Sequence, residues 1–175
     1  MVFLLTAGHF YGSIGTRTFI ESNRETLRKR IVFALSVEHV AREAIEDAAG
    51  KLVPSGRSEA AGVFVSFNRI VRDLVQASAR VAQLDRWVVL GAEGPLGNYP
   101  PTDGGDWHAA GVPIVNFISN PVYLLTDDDA LDWVDYPLLP RVAHAFAYFL
   151  ERLDGVAARD LLRQDFFFRR VVLRF

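Results

Sequence analysis

Two apolar runs, residues 31–37 and 112–118, constrain this chain most, because each is too short for a buried helix and too continuous for a strand with one wet face. Such runs are typical of strands covered on both sides, as in parallel sheets flanked by helices. Apolar runs at 1–7, 63–67 and 87–90 read as further strands. Between them lie segments of helical character. Residues 16–30 carry Phe19, Ile20 and Leu27 at roughly helical spacing, and 40–49 has an Ala, Glu and Arg composition stopped by Gly50. Residues 68–84 are capped by Asn68 and place Ile70, Val71, Leu74, Val75 and Val81 on one side. A further helix is expected over 129–153, capped by Thr126 or an Asp and broken or kinked at Pro137 and Pro140. Residues 51–62 and 91–105 read as loops, the second long enough to be functional or mobile. The alternation predicts an α/β three-layer sandwich with a mainly parallel sheet.

A chain of 175 residues fits one domain, and half of them are hydrophobic, enough for a single buried core. The formal net charge of −2 gives no general attraction to nucleic acid or anionic membrane, so neither is expected as a partner. There is no cysteine, which excludes disulfides and thiolate metal ligands. Residues 2–6 lack the basic flank of a signal peptide, and no apolar stretch approaches the ~20 residues that span a bilayer. A cytoplasmic location is the expectation that follows.

In parallel sheets ligands bind where strands end. The corresponding loops follow Ala7, Val37 and Ile118, and they hold the unusual polar residues. His9 follows the first run, Glu38 and His39 the second, while Asp103, Asp106, Trp107 and His108 precede the run at 112–118. Imidazole can act as a base near neutral pH, and carboxylate and imidazole together suit a divalent metal. His144 sits among Ala143, Phe146 and Ala147, as a packed histidine does.

The tract Thr102-Asp103-Gly104-Gly105-Asp106-Trp107-His108-Ala109-Ala110-Gly111-Val112-Pro113, then an apolar strand and Thr126-Asp127-Asp128-Asp129, resembles the active-site region of the zinc-dependent aminopeptidases and glutaminyl cyclases, metallopeptidase family 28. That family runs Ser/Asp-Asp-His, Phe, Gly-Ile/Val-Pro, strand, His-Thr-x-x-Asp. Its Gly-Glu-Glu-x-Gly-x-x-Gly-Ser motif is similar to the segment from Gly8 to Thr16, with Gly8, Gly12 and Gly15 on its three glycines. The resemblance implies a zinc-exopeptidase-like fold, matched over residues 2–153 to the second half of the family domain. It places His9 where the general-base Glu stands, Phe10 at the metal-binding Glu, Glu38 at a metal-binding Asp and Leu125 at a metal-binding His. Asp103 falls on the Asp that shapes the network around the substrate amine.

Phe and Leu cannot ligate zinc. The expected function is therefore a metallopeptidase-like domain that is degenerate and non-catalytic, acting as a binding or interaction module with no cofactor. The alternative is a zinc-dependent aminopeptidase or amide hydrolase with rearranged ligands. Its candidate zinc ligands are Glu38, His39 and His108, with His9 beside them; a third reading is an enzyme without metal, in which the candidate catalytic residues are His9 as base and Asp103 orienting it. Residues 1–154 form the exopeptidase-like domain in this reading, truncated on its N-terminal side. Residues 155–175 form an apolar extension with a final helix and strand, packing on the domain or on a partner. A strand at 1–7 with nothing upstream would leave a sheet edge open, so a homodimer or a separate protein chain is expected, with a peptide or amine-bearing small molecule as a possible ligand.

Overall fold

The computed structural model describes residues 1–94, 97 and 99–163, the side chain of Arg28 excepted. Its centre is a sheet of four strands in the order β1 (Ala34–Glu38), β6 (Ile114–Ser119), β4 (Ala61–Val65) and β5 (Trp87–Gly91). The β1/β6 and β4/β5 pairings are parallel, and β4 and β6 run antiparallel where the two pairs meet. The α/β class and the mainly parallel sheet therefore hold, with one reversal at the centre.

The alternation of side chains along the strands separates the two faces. Val63 and Val65 of β4, with Val115 and Phe117 of β6, pack against α3 (Arg69–Val81) and α5 (Leu139–Leu153). Val71 and Val75 of α3 and Val142, Phe146 and Phe149 of α5 recur at helical spacing and complete that core. Burying each such side chain contributes roughly 1.5–3 kcal/mol. Asn116 points to the other face, where α4 (Asp103–Ala109) sits with α1 (Ile14–Ser22) beside it. Helices on both faces make the three layers. Asn68 caps α3 as expected, accepting from the Val71 N–H at 3.1 Å. Its amide also donates to the carbonyls of Asp160 and Leu161, the last two residues of α6 (Ala158–Leu161).

Several expectations need correction. Residues 1–7 form no strand: Met1 is 92% and Leu5 99% exposed. A strand needs a ladder partner, and β1 pairs with β6 on one side without recruiting this segment. The segment is tied instead to α1, by the Gly15 N–H on the Ala7 carbonyl and by the hydroxyls of Thr6 and Thr16. The helix expected at 16–30 is divided at Asn23 into α1 and α2 (Arg24–Arg30), Asn23 turning its amide back onto the Phe19 carbonyl.

The segment 40–49 is not a helix and 51–62 is not simply a loop. They form an antiparallel hairpin, β2 (Arg42–Glu46) with β3 (Leu52–Ser58). Turn chemistry outweighs the helical composition. The Asp47 carboxylate accepts from the N–H groups of Ala49 and Lys51, Gly50 adopts φ 78°, and the Asp47 N–H meets the Lys51 carbonyl. Glu43 of β2 then receives Arg86, Ser55 and Arg57, with the Arg86 guanidinium chiefly responsible for holding its carboxyl down at about 2.

The loop expected at 91–105 runs into α4, and the helix expected over 129–153 begins only at Leu139. Pro140 lies in its first turn, where a missing N–H costs nothing, and so it starts the helix without kinking it. The acid at this start is Asp135, which accepts from the Leu138 N–H and the Ser58 hydroxyl. Thr126 closes a tight turn instead, its hydroxyl on the Tyr123 carbonyl. Leu161 is buried in the core, while the aromatic and basic residues 164–175, for which a final strand was expected, lie outside the described residues. Among the described residues no helix is long and apolar enough to cross a membrane.

Candidate functional site

Three of the candidate residues converge. His9 opens a short 3-10 turn, His9–Tyr11, bracketed by Gly8 at φ 77° and Gly12 at φ 70°, backbone that glycine adopts without steric cost. The turn carries the imidazole between the end of β1 and the start of α4. His9 Nδ1 lies 3.0 Å from Asp103 Oδ1. An ionised carboxylate can only accept, so Nδ1 carries the hydrogen. His9 Nε2 faces Glu38 Oε2 at 3.9 Å, wider than a hydrogen bond and an ion pair only where the imidazole carries a proton on both nitrogens.

Glu38 occupies the carboxyl end of β1. Its Oε1 accepts from the Ser36 hydroxyl at 2.7 Å, whereas its buried Oε2 has no hydrogen-bond partner. The next residue, His39, takes a left-handed φ of 50°, which turns two adjacent residues toward one region of space. Its ring stands edge-on to His9, centroids 6.2 Å apart. It is nevertheless engaged elsewhere: Nδ1 donates to the Ser119 carbonyl at 3.2 Å, and the Ser119 hydroxyl donates back to the His39 carbonyl.

Asp103 is held by the seating of α4 on the sheet. Gly104 packs directly on Asn116 of β6, whose Oδ1 accepts from the Gly104 N–H at 3.1 Å and from the Thr102 hydroxyl. One helical turn on, Asp106 meets Arg17 of α1 at 3.6 Å. Burial pushes the Asp106 carboxyl up, against the pull of Arg17. His108 does not join the His9 group, because its Nε2 pairs with Glu93 at 3.4 Å. Trp107 packs near Phe19 of α1, centroids 6.1 Å apart.

Asn116 and Ser36 escaped the sequence reading as site residues. Their signal was present all the same, for each is a polar residue set inside an otherwise apolar strand run. Arg17 and Ser119 had no such signal, since their roles depend on partners far away in the chain.

The donor set does not fit the zinc centre that the resemblance implies. A catalytic zinc takes at least three protein ligands. Here His108 Nε2 pairs with Glu93, away from the His9 group, whereas the Nδ1 bonds of His9 to Asp103 and of His39 to Ser119 leave each Nε2 available. Phe10 lies edge-on to the His9 ring at 4.8 Å, and Leu125 is 68% exposed. Among the described residues no group of three or more His, Asp or Glu side chains is placed to hold a metal ion.

No protein-family model matches the chain, and no curated protein does. Among solved structures it is similar to a zinc aminopeptidase from Bacillus subtilis, with a TM-score of 0.55 and 14% identity. The likeness covers 84% of this chain and 34% of that one, so the chain spans about a third of that protein's length. At this identity the likeness is one of fold: the chain has a zinc-peptidase-like α/β architecture.

Proposed function

We propose that this peptidase-like domain is non-catalytic and acts as an interaction module whose partner is a second copy of the same chain. The observation that carries the first half is the donor set: Phe10 and Leu125 stand at two of the metal positions of the resemblance, and among the described residues no group of three His, Asp or Glu side chains is placed to hold a metal ion. For the second half the support is the edge position of β1, which among the described residues pairs on one side alone, and the exposed apolar residues of the N-terminal segment. Val2, Phe3, Leu5, Phe10 and Tyr11 are each more than half exposed. An unpaired strand edge is self-complementary under a two-fold axis. A separate protein chain on the same surface is the competing occupant.

Metal content of protein purified without chelator tests the non-catalytic reading. Zinc well below one per chain is expected, together with no hydrolysis of aminoacyl arylamides above background. One observation favours the other reading, a zinc-dependent aminopeptidase or amide hydrolase with rearranged ligands, namely the buried, unpartnered Oε2 of Glu38. One tightly held zinc per chain, with turnover abolished by His9→Ala, would establish it in place of the first.

Assembly is tested by sedimentation at micromolar concentration. A homodimer is expected, burying at least ~1,000 Å² as specific interfaces do. Substituting Phe3 and Phe10 by Ser should return it to monomer. A wild-type protein that sediments as a monomer at these concentrations would end the self-association proposal.

A further inference from the structure

We infer that His9 is a latch: its imidazole, standing between Asp103 of α4 and Glu38 of β1, pins the turn that carries the exposed Phe10 and Tyr11. This deepens the interaction-module reading and rests on it. The turn from Gly8 to Gly12 is a weakly determined piece of chain. Both flanking glycines are left-handed, and neither Phe10 nor Tyr11 is buried, at 62% and 86% exposure. Its own backbone bonds are local, from the Tyr11 N–H to the Gly8 carbonyl and from the Ser13 N–H to the His9 carbonyl. His9 is the side chain that reaches from this turn to two other elements at once, at 3.0 Å to Asp103 and 3.9 Å to Glu38.

The groups around the imidazole are arranged for that task. Ser36 holds one oxygen of Glu38 and leaves the buried Oε2 directed at His9 Nε2. Phe10 meets the ring edge-on, and the His39 ring closes another side. A cross-link of this kind does what a metal ion does for a loop: it gathers side chains from separate elements and fixes the loop they share. Releasing it should free the turn without disturbing the α3–α5 face, to which none of these residues contributes.

Amide hydrogen exchange on the full chain tests this, for wild type with and without a zinc chelator and for His9→Leu, His9→Gln and Asp103→Asn. In His9→Leu the amides of Tyr11 and Ser13 should exchange about ten-fold faster or more, the scale of losing one charge-assisted hydrogen bond. His9→Gln keeps an N–H for Asp103 and should retain part of the protection. Asp103→Asn should loosen the same amides, while those of α5 stay as in wild type and show that the domain remains folded. Chelator should change nothing in wild type. Exchange at the turn that ignores His9 and chelator alike would overturn the latch and leave the metal-free reading standing. Exchange that chelator accelerates in wild type would overturn the metal-free reading itself.

Discussion

Truncating Phe149 to alanine is expected to destabilise the domain by about 3–5 kcal/mol, the range for removing a fully buried aromatic side chain. Phe149 is wholly buried on the inner face of α5 and lies 5.5 Å, centroid to centroid, from Phe33, which leads into β1. It therefore joins the helix layer to the half of the sheet that carries Glu38. Against a total stability of roughly 5–15 kcal/mol, the loss threatens folding at physiological temperature. Urea unfolding should show a lower midpoint with little change of slope. Val122→Ala, at a side chain 69% exposed, serves as the control and should move stability by no more than about 0.5 kcal/mol. A loss below about 1 kcal/mol for Phe149→Ala would mean that the core lies elsewhere than in the seam between α5 and the sheet.

The same residues show why the layer architecture could be read from the chain. Positions 142, 146, 149 and 153 of α5, and 71 and 75 of α3, repeat at the helical period. The runs that became β1 and β6 carry the apolar continuity of strands covered twice. Periodicity reports burial, and burial is what fixes the layers. Composition misled where side-chain hydrogen bonds decide the local path. Residues 40–49 contain good helix formers, but the Asp47 carboxylate and Gly50 reverse the chain before a helix could gain from them. The antiparallel junction of β4 and β6 was not legible at all, since direction within a sheet depends on how the loop from β5 to α4 crosses the fold.

For the site, legibility follows residue type. His9, Glu38 and Asp103 are polar residues beside apolar runs, and they do meet, although from residue type alone they could as well have been surface groups. His39 and His108 carried the same chemical signal yet pair with Ser119 and Glu93. A sequence shows which donors exist. Which way a donor faces is set by backbone such as the left-handed φ of His39, and that is a property of the assembled end of β1.

Gly104→Ala should cost about 2–4 kcal/mol and dismantle the His9–Asp103 contact with it, combining overpacking with the loss of buried hydrogen bonds. A Cβ at residue 104 would run into the Asn116 side chain, whose Cβ and Cγ would lie 2.9 and 3.0 Å away. Asn116 has nowhere to retreat. It is fully buried in the middle of β6, between β1 and β4, and its Oδ1 accepts from both Thr102 and Gly104. Either α4 lifts from the sheet, taking Asp103 from His9, or Asn116 turns and leaves those donors without an acceptor. Removing the obstacle separates the two costs. Asn116→Gly alone removes the Cβ along with the acceptor and should destabilise through the unpaired Thr102 hydroxyl and Gly104 N–H. The double variant adds a methyl group where space has already been made, so it should be no less stable than Asn116→Gly by itself, a strongly non-additive result. Strict additivity of the two losses would mean that the methyl group at 104 collides with something other than Asn116, and that α4 owes its position, and Asp103 its approach to His9, to a different contact.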